Sequence, residues 1–280
     1  GRYLPKRTPR FVEAQVRRLH EAGVKRIYKD GWGECFGLEG PTYYVFGRTW
    51  DDPEGNSAAA LLEEFYTAAF GRAARPMERF YGEMHKSIEM YSEHIAAKGS
   101  VGRYYRRPDG GRGRYFDGPL DLMAFCFSGE TIRRMENLLQ QAERIAERQE
   151  GEKLRLRLRL VRIEFDNLKH IATVAHLGNA YALAPDRALL EKLLGAVEAR
   201  NALLDSVADP NARVRPIEGW PEMRPFNVWR ISAVTGIAEN SRKGGYAETP
   251  LAWNTAAMRR ALAETAPDDP LPEPVFINAP

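Results

Sequence analysis

The stretch of this 280-residue chain best suited to chemistry is Ile27-Tyr28-Lys29-Asp30-Gly31-Trp32-Gly33-Glu34-Cys35-Phe36-Gly37-Leu38-Glu39-Gly40-Pro41. It sets the carboxylates of Asp30 and Glu34 on either side of the Trp32 indole, with glycines between them and Glu39 close behind. Paired carboxylates supply the acid, base or nucleophile of glycoside cleavage, and aromatic faces hold sugar rings. The same residues also fit a plain reading, with Trp32 and Phe36 in a core and Glu34 and Glu39 solvated or capping the next helix. Spacing alone leaves the two readings level.

Other chemistries find little support. His85 and His94 are nine residues apart and His170 and His176 six apart, so neither pair shares a helical face, and no HExxH or equivalent ligand spacing occurs. Cys35 and Cys126 lack both CxxC spacing and a disulfide-framework count. Ser128-Gly129-Glu130 lacks the GxSxG setting of a nucleophile elbow, and Ser128 reads as a helix cap. Gly110-Gly111-Arg112-Gly113 follows no strand and has no P-loop lysine. No metal or other cofactor is therefore expected.

The elements around the 27–41 stretch are legible from their spacing. Thr8 and Pro9 form an N-cap and N1 pair, and Phe11, Val12, Val16 and Leu19 recur at helical spacing until Gly23. Val24-Lys25-Arg26-Ile27-Tyr28 is a run of strand formers ending in a glycine-rich loop, a strand–helix unit of an α/β fold. The aromatic segment 42–50 fits a strand or a buried helix; Tyr43, Phe46 and Trp50 share a helical face and Pro41 suits a helix start, which favours helix. A turn over 51–56 leads to Asn56 or Ser57 as the cap of a helix carrying Leu61, Leu62, Phe65 and Tyr66. A further helix over 73–97 buries Met77, Phe80, Tyr81, Met84, Ile88 and Tyr91.

Residues 99–118 are irregular, and twenty residues without an element mark a functional or mobile segment. From Ser128 the pattern is helical. The alternation Leu154-Arg155-Leu156-Arg157-Leu158-Arg159-Leu160 imitates a strand, yet Leu154, Leu158, Val161, Phe165, Leu168 and Ile171 or Ala172 keep helical spacing over a longer window. With a helix over 186–207, three long antiparallel helices form a bundle. After residue 209 the chain turns rich in proline and tryptophan (Pro216, Trp220, Pro221, Pro225, Trp229, Trp253), which predicts an irregular tail with one short helix over 254–264.

Composition narrows the partners. Forty-one lysines and arginines against 38 aspartates and glutamates give a formal charge of +3, too small a surplus to make nucleic acid the expected partner. Only 9 of the 41 are lysine, a bias that fits coding preference as well as anion recognition. No apolar run reaches the roughly 20 residues of a membrane span, and the first ten residues lack the apolar core of a signal peptide.

Residues 24–34, continued by Gly40-Pro41-Thr42-Tyr43-Tyr44-Val45-Phe46-Gly47-Arg48, by Trp50-Asp51-Asp52-Pro53, by Ala60-Leu61-Leu62-Glu63-Glu64-Phe65-Tyr66, by Ala69-Phe70-Gly71 and by Pro76-Met77, resemble a bacterial glycoside-hydrolase-like family. That family was long catalogued as a domain of unknown function and includes endo-β-N-acetylglucosaminidases acting on N-glycans; α-glucuronidases and β-hexosaminidases are more distant relatives. The likeness is strongest over 8–91 and weaker over 158–207.

The resemblance implies that residues 1–70 are the carboxyl-terminal part of a (β/α)8-type barrel whose earlier strands and principal catalytic acid lie upstream. Residues 71–208 follow as a helical domain containing the 99–118 loop, and 209–280 as the tail. The expected fold is mainly α, the final strand–helix unit of an incomplete barrel followed by a helical bundle. Asp30, Trp32 and Glu34 would line the rim of a glycan site, contacting an oligosaccharide substrate without supplying the catalytic acid. A secreted or periplasmic setting is implied as well.

Two alternatives stand beside this reading. One is a non-catalytic helical domain that packs against a barrel. The other is a polyanion-binding module, since five arginines and three tyrosines fall within residues 103–115; against it, Glu83, Glu89, Glu93, Glu130 and Glu136 dilute the positive field.

Overall fold

The computed structural model describes residues 5, 7–27, 35–92, 124–148, 151–207, 215–223, 255–267 and 269–271. The candidate residues Asp30, Trp32 and Glu34, the 103–115 loop and most of the tail lie outside them. Of the described residues 79% are helical and none forms a strand, so the fold is mainly α.

Helix α1 (Pro9–Glu21) begins where Thr8 Oγ1 accepts the Phe11 N–H at 3.1 Å, and it buries Val12 and Val16. Gly23 follows at φ +80°, a left-handed turn that favours glycine. The strand expected over 24–28 does not form over its described part. Residues 24–27 have no ladder partner among the described residues, and Lys25, Arg26 and Ile27 are exposed.

Helix α2 (Phe36–Asp51) settles the aromatic segment as a helix, with two differences from expectation. It starts five residues before Pro41, and the buried stripe is Leu38, Pro41, Thr42, Val45 and Thr49, while Tyr43, Phe46 and Trp50 are only half-buried. Counting large aromatics predicted the wrong side because this helix turns small and β-branched residues toward its close neighbours and leaves its rings at the margin.

Asp52 Oδ1 accepts the Gly55 N–H at 2.9 Å in the following turn, and Ser57 Oγ caps α3 (Ala58–Phe70) through Ala60 N–H. A 3-10 turn over Gly71–Ala73 leads to α4 (Ala74–Glu89), whose buried face is Met77, Phe80, Tyr81, Met84 and Ile88 as the spacing predicts. Ser128 caps α5 (Gly129–Glu147), accepting Thr131 N–H at 3.1 Å. The leucine–arginine alternation lies inside α6 (Glu152–Leu183), 32 residues long, and α7 (Arg187–Val207) follows. Helix α8 (Thr255–Glu264) packs on α7.

The connections between α5, α6 and α7 are short, so successive helices run antiparallel. They do not form a closed three-helix bundle. Helix α6 is the spine: α2 and α5 pack against it, α7 packs on it separately, and α4 packs on α5. One core joins Leu38 of α2, Tyr66 and Phe70 of α3, Phe80 and Tyr81 of α4, Met135 and Leu139 of α5 and Phe165 and Leu168 of α6. It therefore runs through helices on both sides of residue 70. A second cluster, Val174, Tyr181, Leu190, Leu193, Val197 and Met258, ties α6 to α7 and α8. Residues 215–223 form a tight turn with a single antiparallel bridge between Ile217 and Trp220.

Candidate functional site

The Asp30–Glu34 stretch ends at Cys35, where the described chain resumes in a constrained backbone. Cys35 sits at φ 55° and ψ 41°, and no other described non-glycine residue has positive φ. A left-handed side-chain-bearing residue is uncommon and is held only where its surroundings over-determine it.

Those surroundings are the first turn of α2. Glu164 of α6 faces this turn: its Oε2 accepts the Leu38 N–H at 2.8 Å, an N–H it shares with Cys35 O at 3.0 Å, and the Gly37 backbone also favours its charged form. Glu164 is 1% exposed and its Oε1 has no partner among the described residues. Burial pushes its carboxyl well above the usual carboxylate range, against the pull of the two backbone donors and with help from the Glu39 charge. Burial thus favours the protonated form of Glu164 at the start of α2.

Gly37 allows the approach. A Cβ there would lie 2.9 Å from Glu164 Oε2 and 3.0 Å from the backbone carbon of Leu160, closer than side-chain carbons come. Pro41 adds a second consequence. Lacking an N–H, it cannot donate to the Gly37 carbonyl one turn earlier, and the buried Tyr81 hydroxyl of α4 donates to that carbonyl instead. Burial raises the Tyr81 phenol well above its ordinary value, with Tyr66 and Glu164 adding to the effect. Three helices thus fix the point at which the chain leaves residue 34.

Beside this point lies a cavity of about 360 Å³, walled by Phe36, Tyr44, Phe65, Tyr81, Arg157 and Trp220 among others. Phe36 stacks on Tyr43 with ring centroids 6.3 Å apart and planes 7° apart. Tyr44 donates its hydroxyl to Glu64 Oε1 at 2.6 Å and accepts from Arg48 at 2.8 Å, a polar patch on the rim. Arg157 Nη1 donates to Ala69 O at 2.8 Å and Ala68 O at 3.2 Å, satisfying carbonyls of the last turn of α3. Such a space takes a ligand with an apolar face and a few polar edges.

The remaining candidates read from the sequence separate cleanly. Among the described residues no cluster of three or more histidines, cysteines or acids could hold a metal, and no helix is long and apolar enough to cross a membrane. His176 Nε2 lies 2.6 Å from Phe127 O and serves packing. His85, partly buried and with Nε2 unpartnered among the described residues, is lowered to about 4 by burial. Comparison with protein-family profiles, with curated proteins and with solved structures finds no match to this chain.

Sequence reasoning missed Glu164, Tyr81 and Arg157 as site residues. The spacing of Gly37 and Pro41 was a usable signal, since a proline four residues after a glycine inside a helix leaves one carbonyl needing a donor. Glu164 does carry a local signal: it falls three residues after Val161 and four before Leu168, inside the buried stripe of α6, where an acid is out of place, although the spacing does not name its partner.

Proposed function

We propose that this chain is the carboxyl-terminal portion of a glycan-acting glycoside hydrolase, in which residues up to 34 complete a barrel and the helical body holds the Asp30–Trp32–Glu34 loop against the glycan. The observation that carries the reading is the anchorage at residues 35–38. A left-handed cysteine, a glycine whose Cβ would crowd α6 and a buried carboxyl hold the start of α2 rigidly, directly after the residues that carry two carboxylates and an indole, and such rigidity suits a loop that must meet a ligand.

The test is a hydrolysis screen of the full-length gene product beside this 280-residue chain on N-glycans, chitooligosaccharides and glucuronylated oligosaccharides, with Trp32→Ala and Glu34→Gln in the longer form. Activity confined to the longer protein and weakened by both substitutions is the expected result. Activity absent from both forms, or indifferent to both residues, overturns the reading. It would favour the second one, a non-catalytic helical domain, for which the specific observation is that the described cavity holds one cation and no carboxylate in its wall.

A further inference from the structure

Trp220 stands between two cavities. One is the aromatic cavity beside α2; the other, of about 380 Å³, is bordered by Glu152, Lys153, Leu156 and Gly219, and Arg157 and Trp220 bound both. The turn that presents the indole is well fixed. Ile217 is buried, its N–H donates to Met223 O at 2.9 Å, Trp220 N–H donates to Ile217 O at 2.8 Å, and Met223 N–H donates to Trp220 O at 3.0 Å. Gly219 lies at φ +82°, and a Cβ there would come within 3.3 Å of Leu156 Cδ2, so the turn rests directly on α6. Arg157 is anchored through Nη1 alone, and its Nε and Nη2 make no protein hydrogen bond among the described residues.

The two cavities differ in chemistry. The first offers ring faces and the second offers Glu152, Lys153 and Arg157, donors and acceptors of nearly balanced charge. An occupant of both needs rigid apolar faces with hydrogen-bonding groups around its edges and little net charge. A lipid chain would suit only the first cavity, and a polyanion would meet Glu152 and the neighbouring Glu218. A neutral sugar ring has C–H faces for the indole and hydroxyl edges for the charged groups.

We propose that the Trp220 ridge is a saccharide-binding site that takes two consecutive neutral sugar units, one on each side of the indole. The choice of saccharide rests on the glycoside-hydrolase reading; the ridge and its paired cavities do not. The test is calorimetric titration of the 280-residue chain with chitotriose and with cellotriose, using Trp220→Ala, Trp220→Phe, Arg157→Gln and Arg134→Gln variants, each checked for helical content by circular dichroism. The expected result is binding of at least one trisaccharide, weakened about tenfold or more by Trp220→Ala and Arg157→Gln, largely retained in Trp220→Phe and unchanged in Arg134→Gln, an exposed residue that lines neither cavity.

The proposal is overturned if neither sugar binds, if binding survives both Trp220→Ala and Arg157→Gln at full strength, or if Arg134→Gln weakens it as much as they do. The hydrolysis screen separates the two readings. Ridge-dependent binding without hydrolysis by the full-length protein keeps this site and removes the hydrolase reading, and hydrolysis without ridge-dependent binding does the reverse.

Discussion

Arg162 and Glu164 stand two residues apart on α6 and show two opposite uses of charge. The Arg162 guanidinium forms a two-bond fork with Glu143, both contacts at 2.8 Å, and reaches Glu136 at 2.8 Å and Asp166 at 3.3 Å; Lys169 binds Glu136 at 2.8 Å and Asp166 at 2.9 Å. Burial opposes the charge on Arg162, but the Glu143, Glu136 and Asp166 carboxylates outweigh it and raise its pKa. Every member has a partner and keeps some contact with water. Glu164 has no cation partner among the described residues and is sealed among α2, α4 and α6, where burial pushes its pKa up and favours the protonated form. The network joins α5 to α6 at modest net gain, whereas the lone acid fixes where α2 begins.

The largest expected effect tests that contrast directly. Glu164→Ala removes the buried carboxyl that accepts the Leu38 N–H and opens a cavity between α2 and α6, a loss of about 3 kcal/mol. Arg162→Ala, whose former partners can turn to water, loses about 1 kcal/mol. Urea denaturation of both variants measures the difference, and the opposite order would break the comparison.

Next in size are the groups that depend on the same point. Gly37→Ala forces a methyl against the Leu160 backbone and loses about 2 kcal/mol by overpacking. Tyr81→Phe leaves the Gly37 carbonyl buried without a donor and loses about 1–2 kcal/mol. Because the three residues meet at one turn, the losses are expected to be non-additive in double-mutant cycles. Strict additivity of Tyr81→Phe with Gly37→Ala would show that the turn is not a unit.

The sequence made most of the helical frame visible, for a physical reason. The stripes of α1 and α4 and the caps Thr8, Ser57 and Ser128 are local, set by residues three or four apart, and periodicity reads them directly. The leucine–arginine alternation at 154–160 was resolved as helix by the longer window, since the apolar positions continue at helical spacing through Leu168. The buried face of α2 was misread because its partners, α1, α3 and α6, meet it through small and β-branched residues rather than large rings, and α6 is remote in sequence. The role of Glu164 was invisible for a related reason: its contact with Leu38 spans 126 positions. The 24–28 run looks like a strand by composition, but a strand also requires a neighbour.

A pH series sharpens the contrast with a smaller effect. The folded-state pKa of Glu164 is raised, so its stabilising contribution is fully present below the ordinary carboxylate range. It is lost as pH rises toward the folded value, because the unfolded chain releases the proton first and then binds fewer protons than the native state. Glu164→Gln keeps an oxygen acceptor for Leu38 N–H without an ionisable proton. Wild-type and variant stabilities are expected to lie closest at low pH and to diverge as pH rises, with the variant gaining. Parallel curves would show that Glu164 is not held neutral.

The smallest effect belongs to the exposed ion pairs. Arg134 contacts Glu83 at 2.9 Å and Glu130 at 2.5 Å, with all three side chains open to solvent. Their attraction is screened by salt, and ordering three long side chains offsets much of the remainder. Arg134→Gln is expected to leave the denaturation midpoint unchanged at about 0.15 M salt, with any loss appearing only at low ionic strength. A salt-independent loss as large as that of Tyr81→Phe would mean that surface pairs between α4 and α5 hold the fold as firmly as the buried turn does. The contrast drawn between Arg162 and Glu164 would then describe burial alone and say nothing of where this fold concentrates its strain.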